Sequence, residues 1–272
     1  MKTMFFWPLV LLQIVLLSCS SLKNRAFKTS ELTFGSDFQV KVTKYSGETS
    51  VLKTLIILPP TGGTNAIDRS YARGFCEKGY DVYILNEWSN MNEKNIDLGL
   101  HQRLYAGAQK AITLALNDIK TPYVGLIGTS VGALHGAVAA GYQDKINSVF
   151  IITGGATIPE VIINSDQPAM IELKKARYTK YNFKNDDEYR EALDRAFQFE
   201  PTTMTKHKTK ALGMSIANED TTVPVKNQKK LEAFWNPKVT LHYPNNHFWG
   251  IVRTWWSGEE DIFNFFEANA PK

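Results

Sequence analysis

The chain has 272 residues, 43% of them hydrophobic and 21% charged, a balance that excludes disordered and fibrous proteins. Its 31 Lys and Arg against 27 Asp and Glu leave a formal charge of +4, too dilute over this length to mark nucleic acid as a partner. The length suits one or two domains, and two cysteines permit at most one disulfide.

At the N-terminus Lys2 supplies a positive start, and Met4 to Leu17 follow as a mostly apolar run interrupted by Pro8 and Gln13. Such a run is the hydrophobic region of a signal peptide and is too short for the roughly 20 residues of a transmembrane helix. Leu16-Leu17-Ser18-Cys19 then resembles a bacterial lipobox. That resemblance implies cleavage before Cys19, acylation of its thiol, and a place in the bacterial cell envelope, anchored to a membrane by lipid. The alternative is an ordinary secretory signal with an incidental cysteine. Residues 1–18 are expected to be removed, 19–34 to form the anchor and tether, and 35–272 to fold as one domain. Cys76, among Phe75, Tyr80 and Val82, reads as a small buried hydrophobe.

The next segment, Phe38 to Val42, alternates apolar and polar residues as an exposed antiparallel edge strand would. Thr54 to Leu58 is a continuous apolar run, the pattern of a strand covered on both faces, and Pro59-Pro60-Thr61-Gly62-Gly63 ends it. Ile67, Tyr71 and Phe75 recur at helical spacing, with Gly79 placed to end that helix, and Asp81 to Asn86 gives another strand. Leu104, Ala108, Ile112, Ala115 and Ile119 repeat the helical spacing. Tyr123 to Ile127 is a strand, Val131 to Gly141 a helix, and Val149 to Ile152 a strand. Later strands are expected at Ala211 to Ala217 and Val239 to Tyr243, with a helix from Val225 to Trp235 between them. Strands alternating with helices predict an α/β fold, a mostly parallel sheet covered on both faces. Residues from about 158 to 207 break the alternation: they are polar, helical and too many for a plain connection, so a small helical cap is expected there.

Gly128-Thr129-Ser130-Val131-Gly132 joins a buried strand directly to a helix, the strand, sharp turn and helix of a nucleophile elbow. Glycine at both ends suits a turn where a side chain would strike the neighbouring strand or helix. A serine hydroxyl needs a base to take its proton and an acid to hold that base, and in the hydrolase arrangement both follow the serine, acid first. Of the five histidines, His101 precedes Ser130, His135 lies within the helix after it, and His207 precedes the best acid. His242 falls inside the last strand and reads as a packing residue. His247, in Pro244-Asn245-Asn246-His247-Phe248, is expected on the loop leaving that strand, free to reach the site. Asp220, after Ala217-Asn218-Glu219, is the chosen acid, with Glu219 and Asp166 as lesser alternatives.

With Ser130, Asp220 and His247 in this order, residues 35 to 270 resemble the α/β-hydrolase superfamily. The resemblance implies that Ser130 attacks an acyl carbonyl, His247 shuttles the proton and Asp220 orients the imidazole. It further implies an oxyanion hole pairing the Val131 N–H with one from Thr61, Gly62 or Gly63, although the His-Gly pair that many members carry in that loop is absent. A carboxylic ester hydrolase with a small-molecule acyl substrate and no metal or cofactor is the expected activity. Peptidase, dienelactone-type hydrolase, acyltransferase and an inactive lipid-anchored binding protein are alternatives on the same scaffold. Trp88 and Trp249 are candidate pocket-lining residues.

Overall fold

The structure, a computed structural model, describes residues 27–47 and 52–271. The expected signal peptide, residues 1–18, and Cys19 lie outside the described residues. In chain order the elements are β1 (Lys28–Phe34), β2 (Val40–Ser46), β3 (Lys53–Leu58), α1 (Ala66–Glu77), β4 (Tyr80–Trp88), α2 (Leu100–Asp118), β5 (Tyr123–Thr129), α3 (Val131–Tyr142) and β6 (Ser148–Ile152). There follow α4 (Ile158–Asn164), α5 (Pro168–Tyr181), α6 (Asp186–Ala196), β7 (Ala211–Ala217), α7 (Val225–Trp235), β8 (Val239–Tyr243) and α8 (His247–Asn269).

All eight strands form one sheet in the order β1-β2-β4-β3-β5-β6-β7-β8. From β4 to β8 every pairing is parallel, while β2 is antiparallel to β4 and β1 to β2. The continuous apolar runs are continuous because both faces are covered. Successive side chains alternate across the sheet, so Leu55 and Ile57 join Tyr71, Phe75 and Phe266 of α1 and α8 on one face. Ile56 and Leu58 join Ile112, Ala137 and Leu231 of α2, α3 and α7 on the other. Among the described residues no helix is long and apolar enough to cross a membrane.

Two expectations for the first strands are corrected. Residues 19–34 are not tether throughout: Lys28–Phe34 is β1 and forms the sheet edge. Its KTSELTF sequence hides this because an edge strand buries only one face; Leu32 and Phe34 supply that face by packing against the core. The strand begun at Phe38 starts at Val40 and lies one position in from the edge, with Val40 and Val42 fully buried.

Helices α4 to α6 and two short turns lie between β6 and β7, where the cap is expected. Val161, Ile162, Tyr189, Leu193 and Phe197 pack there against Tyr105, Leu134 and Val138. Arg177 of α5 has no exposure, which would be costly for an unpaired guanidinium. It donates to the carbonyls of Ile96 and Asp97 and to the Tyr189 hydroxyl, pinning the inserted helices to the loop between β4 and α2. Cys76 is buried on α1, and burial pushes its thiol up to about 12.

Candidate active site

The sheet reverses its winding at β3, whose neighbours β4 and β5 leave in opposite directions; ligands in open α/β sheets bind at the strand ends beside such a point. Ser130 sits there, between the last residue of β5 and the first of α3, with φ 56° and ψ −118°. This conformation is sparsely populated for a residue with a side chain and costs about 1–3 kcal/mol, so its surroundings must impose it. The Ser130 N–H donates to the Ile152 carbonyl at 2.9 Å, and the Ser130 carbonyl accepts from Leu134 N–H at 3.0 Å. A Cβ on Gly128 would stand 2.3 Å from the Gly132 carbonyl oxygen, and one on Gly132 would stand 2.1 Å from that of Leu58. Both glycines are therefore set by close backbone approach, as the turn requires.

The structure brings the three singled-out side chains together. Ser130 Oγ lies 2.8 Å from His247 Nε2, and His247 Nδ1 lies 2.7 Å from Asp220 Oδ2. The Asp220 side chain is fully buried, and four donors compensate it: the backbone N–H groups of Thr222 and Val223 at Oδ1, and Gln228 Nε2 and His247 Nδ1 at Oδ2. Four such donors offset much of the cost of burying the carboxyl group. Gln228 escapes sequence reading because nothing local distinguishes it from other polar residues of α7. Its Nε2 also donates to the Val223 carbonyl and its Oε1 accepts from Ala217 N–H, so one amide joins β7 to the acid turn.

Two histidine expectations change. His247 is not on a loop but is the first residue of α8, where Asn246 caps the helix by accepting from Trp249 N–H at 3.1 Å. His242 is not a packing residue: its side chain is 44% exposed and its Nε2 lies 3.1 Å from Glu232 Oε1. Of the alternative acids, Glu219 is exposed. Asp166 lies beyond α4, where it accepts from the hydroxyls of Thr221 at 2.5 Å and Thr222 at 2.7 Å, tying the inserted helices to the acid turn rather than meeting the imidazole. Among the described residues no three His, Cys, Asp or Glu side chains gather to hold a metal ion.

For an oxyanion, Val131 N–H stands in the first turn of α3, where backbone donors have no partner within the helix. In the opposing loop Pro59 and Pro60 have no N–H to offer, and Gly63 N–H is spent on the Pro60 carbonyl at 3.1 Å. Thr61 and Gly62 remain, and both line the cavity beside Ser130. Thr64 and Asn65 fasten this loop, the first by donating to Asn86, the second by capping α1.

The same cap contains Asp68, almost wholly buried, which accepts from Asn65 N–H at 2.9 Å. Burial pushes its carboxyl from 3.8 up to about 6. Ionisation is thus harder in the folded chain than in the unfolded one. The stability this group contributes is complete below its ordinary value and is lost as pH rises through about 6, a displacement worth about 3 kcal/mol. Asp68→Asn keeps an acceptor without the charge, so in thermal melts its Tm relative to the unmutated protein is expected to climb between pH 4 and pH 7. A constant difference across that range would show that Asp68 does not titrate there.

Ser130 opens onto a cavity of about 270 Å³ walled by Leu104, Leu134, Ile158, Val161 and Val223, with Trp88 also in its lining. Trp249 is not part of that lining; it is 56% exposed.

No protein-family model matches the chain, and no curated protein is detectably similar to it in sequence. Solved structures are similar in fold. An esterase from Pyrococcus furiosus is 16% identical with a TM-score of 0.58, over 89% of this chain and 93% of its own. Acetyl xylan esterase 1 from a Thermoanaerobacterium species is 13% identical with a TM-score of 0.67, over 91% of this chain and 86% of its own. The acylaminoacyl peptidase of Pyrococcus horikoshii is 15% identical with a TM-score of 0.66, and the match covers 94% of this chain but 43% of the peptidase. The fold is that of the α/β-hydrolases.

Proposed function

We propose that the protein is a serine hydrolase of carboxylic esters. The observation that carries this reading is the continuous line of short contacts from Ser130 Oγ to His247 to buried Asp220, placed on a strained turn at the mouth of a cavity. Ser130 Oγ attacks the ester carbonyl carbon while His247 Nε2 takes its proton. The carbonyl oxygen, now negative, accepts from Val131 N–H and from Thr61 or Gly62 N–H. Asp220 holds the proton on Nδ1 and stabilises the imidazolium. His247 then gives its proton to the departing alkoxide, leaving the acyl group on Ser130. Water, deprotonated by the same imidazole, hydrolyses that acyl-enzyme and restores the serine. The esterases of similar fold support the ester as the substrate bond. A fluorophosphonate probe is expected to modify Ser130, located by peptide mass spectrometry; an unmodified Ser130 would sink the reading.

The N-terminal sequence supports a further proposal, that the chain is exported to the bacterial cell envelope and held there by lipid on Cys19. The domain division follows, with residues 1–18 removed and the hydrolase unit carrying its cap at about 158–207. Cys19→Ser is expected to move the protein from the membrane fraction to the soluble one. Unchanged partition would rule out attachment at Cys19.

A further inference from the structure

Near the inserted helices the cavity wall is mostly aliphatic, interrupted by Ser165 and Gln167, while Trp88, His101, Tyr105 and His135 form a different surface within it. His135 sits against both aromatic rings, with centroids 4.5 Å from Tyr105 and 5.9 Å from Trp88. His101 precedes Tyr105 by one turn of α2. His135 is thus held between aromatic rings. Nδ1 of His101, Nδ1 of His135 and Nε1 of Trp88 are all closed off from solvent and have no hydrogen-bond partner. Leaving such groups unmade costs a fold about 1–3 kcal/mol apiece, and among the eleven atoms so placed in the described residues, two belong to histidines that line this one cavity. Burial lowers both imidazoles, to about 3 and about 4, and they stand uncharged at neutral pH. Among the described residues no Asp, Glu, Lys or Arg lines this cavity.

We propose that this wall binds a hydroxyl group on the acyl portion of a neutral ester, so that the preferred substrates are hydroxyacyl esters rather than plain alkyl or charged ones. The proposal rests on the ester-hydrolase reading. A neutral imidazole is one donor and one acceptor, and a hydroxyl offers the complement of each. A half-turn of either ring exchanges nitrogen and carbon positions within the same packing, so each can present a nitrogen to the ligand. The acyl side follows from His247: the leaving oxygen must reach its Nε2, and His247 is not part of this cavity's lining. Ser130 and His135 lie five residues apart across the start of α3, an ideal axial rise of about 7.5 Å, which is comparable to the length of a six-carbon acyl chain with a terminal hydroxyl.

The test compares p-nitrophenyl 6-hydroxyhexanoate with p-nitrophenyl hexanoate and the mono-p-nitrophenyl ester of adipic acid. The hydroxy ester is expected to exceed hexanoate in kcat/KM by about tenfold, and the carboxylate to fall below both. His135→Phe and His101→Phe keep a ring in place and are expected to erase the hydroxyl preference, while His135→Gln restores part of it. Because each ratio is taken within one protein, a general loss of activity does not imitate the result. In parallel, 6-hydroxyhexanamide and hexanamide are titrated into Ser130→Ala protein and followed by tryptophan fluorescence. Tighter binding of the hydroxy amide supports the wall's role even if no ester is turned over, an outcome that would overturn only the hydrolase reading. Equal binding of the two amides, or a preference for hexanoate in turnover, overturns the inference itself.

Discussion

Ser130→Ala is expected to reduce kcat for p-nitrophenyl ester hydrolysis by about 10⁶-fold with little change in KM, and to abolish labelling by a fluorophosphonate. The size follows from the division of labour at the site. In the proposed mechanism, removing the hydroxyl removes the covalent route altogether, whereas the cavity proposed to take the acyl group and the backbone donors at Val131 and the Thr61–Gly62 turn are untouched. What remains is the residual acceleration from oxyanion binding and positioning, about 10³ to 10⁴ over water. The fold should tolerate the change. Ser130 Oγ has one short contact, to His247 Nε2, and alanine meets the same backbone constraint at φ 56° as serine. A variant that kept more than about one percent of the activity, with contamination excluded by mass spectrometry, would place the nucleophile elsewhere.

Asp220→Asn is expected to lower kcat by about 10⁴-fold near neutral pH, with partial recovery on raising the pH. The reason lies in how the carboxylate is surrounded. Oδ1 faces two backbone donors, Thr222 N–H at 2.9 Å and Val223 N–H at 3.0 Å, so an asparagine must turn its carbonyl oxygen toward them. Its amide nitrogen then points at Gln228 Nε2 and His247 Nδ1, which face Oδ2 at 2.7 Å each. Two donors meet at Gln228. At His247 the amide N–H makes Nδ1 an acceptor, and the ring proton moves to Nε2. In that tautomer His247 donates to Ser130 instead of taking its proton. A rate unchanged by the substitution would show that Asp220 is only a structural anchor for the turn after β7. Asp220→Ala is a weaker probe, because it leaves four donors facing an emptied site.

Much of this arrangement can be read from the chain alone, for definite reasons. Strands buried on both faces are apolar at nearly every position, which makes β3, β5 and β7 visible without their partners. The residues flanking Ser130 are legible because the turn excludes any side chain at Gly128 and Gly132. His247 emerges by elimination among five histidines, and Asp220 by its place just beyond a strand end. Polar β1 was hidden because an edge strand needs only a half-buried face, and Leu32 and Phe34 supply it from within a sequence that otherwise looks like tether. His242 departs from the packing role expected of it because β8 is itself an edge strand, where one position in an alternating pattern can face solvent.

Spacing and composition, acting over a few residues, determined the alternation of strands and helices, the elbow and the identity of its three candidate side chains. Only the tertiary structure decided how residues far apart in sequence would meet. Ser130 and His247 are separated by 117 positions, and their 2.8 Å contact exists because β5 and β8, in the parallel part of the sheet, end on the same side of it. The same folding spends Gly63 N–H within its own turn, assigns Gln228 to the buried carboxylate and sets two neutral histidines into the cavity wall. Local periodicity records which face of an element is apolar; it carries no record of which polar atoms on distant elements are left to find one another.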